Sequence, residues 1–291
     1  MFAYFNGRFL PQEEARLPLH DAGFVFGATV TDLCRTFRHQ LFRLADHVAR
    51  FRRSCQLAGI PQPIPDNRVA SLAEELTARN SASLPRQEEL LLVMFATPGP
   101  IAHYCRGDDK GDTSPTFGMH TIRLSFPRYA PLFKRGARLI SMKGAVSLPD
   151  PRIKHRSRLV WWITSHMAPQ TVLLTDSDGF ITETAVANFL IVKDSSVISP
   201  PRDSILNGIS LLTVEEICRE LEIPFQGRQL TLNDCMEADE ALLTGTAFCV
   251  AGVSQLNGQN IPWPGKIFER LLEAWNQRVG LDVRAQILSG D

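Results

Sequence analysis

The spacing of apolar residues along the first half of the chain predicts alternating strands and helices. Two short apolar segments flank Asn6-Gly7, the dipeptide that a tight hairpin turn prefers. Apolar positions recur at three- and four-residue intervals over 66–79, which predicts a helix with one buried face, and a second helix is predicted over 45–58. The uninterrupted apolar run 90–96 predicts a fully buried strand. Strands are also predicted at 30–38, 41–44 and 119–126.

The second half continues the mixture of strands and helices after a break rich in proline. Pro127-Arg-Tyr-Ala-Pro131 interrupts the pattern, so we predict two domains, 1–127 and 128–291. Beyond this break the pattern predicts two strands flanking a helix over about 156–167, two further strands, and an amphipathic helix that opens just after Gly208. The strands are predicted at 138–142, 171–175, 180–183 and 188–193. The fold class is therefore α+β in both domains.

Composition and charge exclude several classes of protein. The 291 residues include 31 basic and 31 acidic side chains, so the chain lacks the basic excess typical of proteins that bind nucleic acid. The longest apolar run is far shorter than the roughly 20 residues that cross a bilayer, and the first residues lack the pattern of a secretory signal. The 6 cysteines form no CxxC pair and no cluster with histidines. We therefore expect a cytoplasmic protein with neither a membrane segment nor a metal site.

Two residues of the second half have the chemistry of a cofactor site. Lys154 directly precedes an apolar helix, where desolvation and neighbouring cations would lower its pKa toward nucleophilic use. Glu183 stands at the end of an apolar strand, where a carboxylate can hydrogen-bond a protonated ring nitrogen. Each residue taken alone is more often a solvated surface group.

Three further positions can bind a phosphate. The backbone N–H groups of Ile209 and Ser210 open the amphipathic helix and are donors at its positive end. Thr246 lies in a turn of small residues after an apolar strand, and Arg43 lies at the end of a strand from which it can reach a phosphate. The alternatives are an ordinary helix cap, an ordinary tight turn and a rim arginine.

Taken together and in chain order, these segments resemble those of a known enzyme family. The segments are His20-Asp-Ala-Gly-Phe-Val-Phe-Gly27, Arg43-Leu-Ala-Asp-His47, Lys154, the block 178–192, Ile205-Leu-Asn-Gly-Ile-Ser210 and Thr244-Gly-Thr-Ala247. The chain resembles the class IV, or fold-type IV, pyridoxal-phosphate aminotransferases over nearly its whole length. That family contains branched-chain aminotransferase, D-amino acid aminotransferase and 4-amino-4-deoxychorismate lyase.

The resemblance implies a fold, a cofactor and roles for individual residues. It implies a small N-terminal domain and a larger cofactor-binding domain, assembled as a homodimer. Lys154 would form the internal Schiff base with pyridoxal phosphate, and Glu183 would pair with the pyridine nitrogen. The remaining cofactor contacts would come from Arg43, Asn188, Ile209, Ser210 and Thr246, and the substrate side would include Arg35 and Ala247.

Departures from the family pattern leave alternatives open. Leu159 and Ser157 stand where relatives carry a tyrosine or asparagine, and Pro98 replaces the arginine of the loop found in the D-specific enzyme and the lyase. We predict an aminotransferase that moves an amino group between an amino acid, of an aliphatic or branched-chain L type, and a 2-oxo acid. The alternatives are the lyase, which eliminates pyruvate with the same lysine chemistry, and a cofactor-less binding protein of the same fold.

Overall fold

The computed structural model describes residues 1–62, 64–104, 114–143, 150–167 and 170–290. Contacts divide the chain into two compact units. The first unit comprises Met1–Leu124 together with Ile153–Arg158, and the second comprises Ser125–Arg152 and Leu159–Asp291. The segment that contains Lys154 therefore belongs to the first unit, although it follows the first strand of the second unit in sequence.

The first unit is built on an antiparallel sheet whose described strands run in the order β2-β1-β6-β5-β3-β4. Its elements are β1 (Phe2–Phe5), β2 (Arg8–Pro11), α1 (Ala22–Val25), β3 (Val30–Phe37), β4 (Gln40–Leu41), α2 (Leu44–Leu57), α3 (Asp66–Ser81), β5 (Leu90–Thr97) and β6 (Thr116–Arg123), with 3₁₀ turns at Gln12–Glu14 and Ala102–Tyr104.

Alternation along the strands explains how this sheet forms a core with α2 and α3. Cys34, Leu92, Met94 and Met119 alternate with residues of the other sheet face and belong to one buried cluster with helix residues such as Leu72. Asn6 and Gly7 both have positive φ, at 43° and 96°, as the predicted tight turn requires. The hairpin and the two helices are therefore confirmed close to their predicted bounds.

The second unit consists of a larger mixed sheet and six helices within the described residues. Its elements are α4 (Ala130–Arg135), β7 (Ala137–Lys143), α5 (Leu159–Met167), β8 (Thr171–Thr175), β9 (Ile181–Thr184), β10 (Asn188–Lys193), β11 (Ser196–Ser199), α6 (Ile209–Glu220), β12 (Phe225–Gly227), α7 (Leu232–Met236), β13 (Glu240–Gly245), β14 (Cys249–Leu256), β15 (Gln259–Asn260), α8 (Lys266–Val279) and α9 (Val283–Leu288), with a 3₁₀ turn at Phe126–Arg128.

The strands of the second unit close into a ring. Their order is β12-β11-β10-β13-β14-β7-β8-β9, and β9 also pairs with β10. The strand order from β10 through β13, β14, β7, β8 and β9 therefore returns to β10. The recorded closing pair is Asn188 opposite Glu183. Two residues of predicted function thus stand side by side where this ring closes.

Three predicted elements were wrong in their bounds, and a local or tertiary contact explains the first two. The helix predicted from residue 156 begins at Leu159, because the backbone before it pairs with β3 instead. The strand predicted over 41–44 ends at Leu41, since Arg43 adopts a left-handed conformation and α2 begins at the next residue. The strand predicted over 119–126 is Thr116–Arg123.

The cysteines and the membrane prediction can be compared with this fold. Cys34, Cys55, Cys218, Cys235 and Cys249 are buried free thiols, and Cys105 lies outside the described residues. Among the helices of the described ranges, none has the length and apolar content needed to span a bilayer.

Candidate active site

Lys154 lies in a short extended segment that runs beside the start of β3. The Lys154 carbonyl accepts a hydrogen bond of 2.9 Å from the Thr31 N–H, and the Arg156 N–H donates to the Thr29 carbonyl at 2.8 Å. The Lys154 N–H donates to Ser54 Oγ of α2 at 3.2 Å. Because both sides of its peptide backbone are bonded, the position from which the Lys154 side chain projects is fixed within the first unit.

A buried charge cluster of Asp32, His47 and Arg50 lies next to this segment. Asp32 is fully buried; its carboxylate accepts bonds from Arg50 Nε and Nη2, each at 2.8 Å, and contacts His47 Nδ1 at 2.7 Å. Complete burial alone would raise the pKa of Asp32, but Arg50 and His47 outweigh burial and hold this pKa well below its ordinary value. Asp32 is therefore an ionised carboxylate inside the fold.

The pKa of His47, a member of this cluster, is affected by the charge of Lys154. Burial lowers the pKa of His47 below its ordinary value, although Asp32 opposes the shift, and the charges of Arg50 and Lys154 lower it further. A neutral His47 whose Nδ1–H donates to Asp32 fits this arrangement. The sequence analysis did not predict this cluster.

Arg43 and Arg35, the two arginines predicted to contact ligands, also lie in the first unit. Arg43 directly precedes α2, and its Nε donates to Asp46 at 2.6 Å. Arg35 is 1% exposed; its guanidinium lies 3.9 Å from the ring centre of Phe37, and its Nε donates to the Thr36 carbonyl. Both arginines therefore have partners within the first unit, and their roles toward a ligand stay predictions.

In the second unit, one asparagine connects Glu183 to the loop before α6. Asn188 is buried, and its Nδ2 donates to Glu183 Oε2 at 2.9 Å and to the Leu206 carbonyl at 2.8 Å. Glu183 lies on β9 directly opposite Asn188 on β10. The carboxylate predicted to contact a ring nitrogen is thereby held beside the segment that leads into α6.

The beginning of α6 has the properties of an anion site. Gly208 is the N-cap and makes no side-chain cap, and Ile209 and Ser210 are the first two helical residues. The N–H groups of a first helical turn have no partners within the helix and lie at its positive end. A Cβ built on Gly208 would overlap Asn188 Oδ1, so the glycine lets Asn188 approach the backbone at this helix terminus.

The turn between β13 and β14 adds hydroxyl and backbone groups to the second unit. Thr246 and Ala247 are half-buried in this turn, which follows Gly245. Thr244 lies opposite Asn188 on the neighbouring strand, and its buried Oγ1 has no hydrogen-bond partner among the described residues. A buried hydroxyl without a partner is costly in a protein alone, so it points to a ligand. The sequence analysis assigned no role to Thr244.

The groups of the second unit fit a phosphate ester that carries a basic ring nitrogen. The N-terminus of α6 suits the phosphate, Glu183 suits a protonated ring nitrogen, and the unpartnered Thr244 hydroxyl can donate or accept one bond. The structure brings Glu183, Asn188, Ile209 and Ser210 into one neighbourhood of the second unit. No group of metal-ligating side chains is found in the described part of the chain.

Comparison with known proteins agrees with this fold and chemistry. The family model described as amino-transferase class IV matches residues 29–256. The D-alanine aminotransferase of Bacillus licheniformis is 26% identical over 274 residues and 90% of each chain. A probable branched-chain-amino-acid aminotransferase of Rickettsia typhi is 23% identical over 264 residues and 88% of each chain. The solved structure of a hypothetical aminotransferase from Mycobacterium tuberculosis, in a form with pyridoxal phosphate bound, covers 100% of both chains with a TM-score of 0.81 and 20% identity.

The fold and the chemistry of the second unit therefore define a two-domain α+β enzyme of fold-type IV, as predicted. The chain belongs to the class IV aminotransferase family. Its activity is transfer of an amino group between an amino acid and a 2-oxo acid, with pyridoxal phosphate as cofactor. The predicted family, activity and cofactor are therefore confirmed.

Proposed function

We propose that this enzyme transfers the amino group of an aliphatic L-amino acid to a 2-oxo acid, with Lys154 and Glu183 as its catalytic residues. The observation that carries the proposal is the joint bonding of Glu183 and the loop before α6 to Asn188. This arrangement supplies a carboxylate and a set of helix N–H groups within one neighbourhood, which suits a phosphorylated pyridine.

The phosphate of the cofactor is held, in this proposal, by the N–H groups of Ile209 and Ser210, by Thr246 and by Arg43. Helix N–H groups and a guanidinium both donate to phosphate oxygens, and the guanidinium also neutralises charge. Arg43 forms an ion pair with Asp46 in this structure, so a hydrogen bond from Arg43 to the phosphate would compete with that ion pair. Arg35 and Ala247 remain the proposed substrate-side residues.

The proposed catalytic roles rest on the chemistry of two side chains, Lys154 and Glu183. Bound pyridoxal phosphate supplies an aldehyde that condenses with amines and a ring that withdraws electrons from the substrate α-carbon. Glu183 would hold the cofactor at its ring nitrogen and favour a proton on that atom. Lys154 Nζ would hold the cofactor through its aldehyde carbon, and the same amine would accept the α-proton of the substrate as general base.

The substrate class rests on the relatives and on one loop of the sequence. The curated relatives named above are a D-alanine and a branched-chain aminotransferase, so aliphatic substrates are common to both. The loop that begins at Thr97 lacks the Arg-x-His motif that binds a carboxylate in the D-specific enzyme, and Pro98 replaces a further arginine of that loop. The loss of the Arg-x-His motif supports the L configuration.

We also propose that the enzyme is a cytoplasmic homodimer. Large apolar side chains are strongly exposed on each unit: Phe24 and Phe26 are each 65% exposed, as are Trp162 and Met167. A second copy that covered these side chains would remove their apolar surface from water. The five buried free thiols among the described cysteines support a reducing compartment.

A screen of single amino acids tests the proposed activity. The enzyme loaded with pyridoxal phosphate is mixed with one L- or D-amino acid at a time, and the absorbance of the cofactor is followed. We expect at least one aliphatic L-amino acid to convert the cofactor to its amine form, with the D-isomers slower. If no amino acid converts it while aminodeoxychorismate releases pyruvate, the enzyme is the lyase and the proposal is wrong.

A pair of lysine variants tests the catalytic assignment. Lys154→Ala should abolish conversion of the cofactor while phosphate contacts still permit weak binding. Lys193→Ala is the control, since Lys193 lies on the surface and bonds the Glu237 carbonyl. Full activity of Lys154→Ala would contradict the assignment.

A further inference from the structure

Asn188 occupies the point where three strands of the second unit meet side by side. It lies opposite Glu183 of β9 and opposite Thr244 of β13, and it is 4% exposed. Directly paired residues of antiparallel strands project to the same face of a sheet. Glu183, Asn188 and Thr244 therefore share one face at the closure of the strand ring.

The orientation of the Asn188 amide is determined by its partners. Glu183 Oε2 and the Leu206 carbonyl oxygen are both acceptors, so both bonds must come from the two hydrogens of Nδ2. Both donors of Asn188 are thus used by protein groups. The amide oxygen consequently faces Gly208, where an added Cβ would overlap it.

Gly208 supports the same conclusion from the side of the helix. Its φ of −67° is an ordinary conformation for any L-residue, so the backbone does not require glycine here. The nearest obstacle to a larger side chain is Asn188 Oδ1, and the other neighbour, Leu211 Cβ, would be at an ordinary 3.5 Å. The close approach between Asn188 and the α6 terminus is therefore the reason for a glycine.

We propose that Asn188 is a positioning residue that sets the separation between the Glu183 carboxylate and the N-terminus of α6, and that it does not itself bind the cofactor. The inference rests on the proposed roles of those two groups. The ring and the phosphate of pyridoxal phosphate are joined covalently, so the two protein groups that hold them must be a matching distance apart. One amide that bonds both sides fixes that distance.

Comparison of two ligands tests this role without measuring turnover. Apo-enzyme variants are titrated calorimetrically with pyridoxal phosphate and, separately, with inorganic phosphate. Asn188→Ala should weaken pyridoxal phosphate binding about ten- to a hundredfold, the usual effect of losing a hydrogen bond to a charged group. Inorganic phosphate needs only the phosphate-binding groups, so its affinity should change less than about threefold.

The matched control is Asn233→Ala. The Asn233 Nδ2 also donates to a glutamate, Glu237, at 3.0 Å, but this pair is exposed at the C-terminal end of α7. The control should bind both ligands like the wild type. Equal loss of both ligands in Asn188→Ala would indicate direct phosphate binding or a disordered helix terminus and would overturn the proposal. Unchanged affinity for pyridoxal phosphate would overturn it as well.

A second pair of variants tests the contact itself. Gly208→Ala should weaken pyridoxal phosphate binding in the wild-type background and have little further effect beside Asn188→Ala, because the overlapping oxygen is then gone. Additive effects would overturn the proposed contact. Asn188→Asp, which places a second carboxylate beside Glu183, should bind pyridoxal phosphate more weakly than the wild type. Gly208→Ala and Asn188→Asp, each compared with the wild type, provide the test if Asn188→Ala does not fold. Failure of the wild type to bind the cofactor would instead refute the proposed function.

Discussion

Replacement of Asp32 by asparagine should strongly destabilise the first unit, although the two side chains have nearly the same size. Asp32 is fully buried and receives two bonds from Arg50, which is itself 8% exposed. The asparagine removes the negative charge that balances this guanidinium. Its amide NH₂ group also faces one of the donors of the cluster and cannot accept a hydrogen bond from it. Breaking a buried ion pair on one side typically costs about 3–5 kcal/mol.

The retained amide oxygen limits the loss. It can still accept one of the bonds that Asp32 now receives, and a neutral intramolecular hydrogen bond contributes about 1 kcal/mol. We therefore expect Asp32→Asn to lower the free energy of unfolding by about 3 kcal/mol. The control is Asp46→Asn, because Asp46 forms a partly exposed pair with Arg43; this variant should lose less than about 1 kcal/mol.

The assay must report on the first unit. All four tryptophans, at positions 161, 162, 263 and 275, belong to the second unit, so tryptophan fluorescence is not the appropriate signal. Urea unfolding followed by far-ultraviolet circular dichroism, together with hydrogen exchange of the α2 amides, gives the required measurement. Arg50→Met and the double variant complete a thermodynamic cycle.

Two results would refute this reasoning. A loss below about 1 kcal/mol for Asp32→Asn would mean that the buried charge of Arg50 is balanced without Asp32. Strictly additive losses in the double variant would mean that Asp32 and Arg50 do not interact energetically. We expect a coupling of about 2 kcal/mol, because removing both charges leaves no uncompensated ion behind.

Four other predictions concern pH dependence, a helix terminus, the lysine segment and the cofactor. Burial lowers the pKa of His47, His120 and His155, so the folded protein binds fewer protons than the unfolded chain. The free energy of unfolding should therefore have its full value above about pH 6.5, the ordinary pKa of histidine, and decrease as the pH drops below it. The decrease should be at most about 1.4 kcal/mol per pH unit for each histidine. Thermal melts from pH 8 to pH 5 measure this slope, and an unchanged slope in His120→Gln would count against it. Glu240→Gln should lower the free energy of unfolding in urea by about 2 kcal/mol, because the buried carboxylate accepts hydrogen bonds from the N–H groups of Ile267 and Phe268 at 2.8 Å each. The exposed Glu237→Gln is its control. Equal urea midpoints for the two variants would contradict the prediction. Ser54→Ala should speed hydrogen exchange of the Lys154 amide about fivefold, the equivalent of about 1 kcal/mol, whereas the exposed Ser71→Ala should leave it unchanged. Arg43→Ala should weaken pyridoxal phosphate binding about tenfold or more in a titration of the apo-enzyme, and wild-type affinity would contradict the proposed phosphate contact of Arg43.

Local patterns in the sequence determined the elements whose residues bury a single regular face. The helix at Asp66–Ser81 and the strand at Leu90–Thr97 were predicted within a few residues, since apolar spacing directly reflects which side of an element is buried. The hairpin at Asn6-Gly7 was predicted from two residues, because few others tolerate the positive φ of that turn. The order of motifs also identified the enzyme family and its cofactor.

Only the tertiary structure decided how these elements combine into sites. The segment at Lys154 has helical neighbours in sequence, yet it pairs with β3, and its membership of the first unit rests on contacts with residues more than 90 positions away. Likewise, Asn188 was predicted only as one of several cofactor contacts. Its bond to Leu206, and the glycine that makes room for its oxygen, depend on strands and a loop that meet when the ring of strands closes. Sequence periodicity records which face of an element is buried, whereas the partner that buries it is chosen by long-range packing.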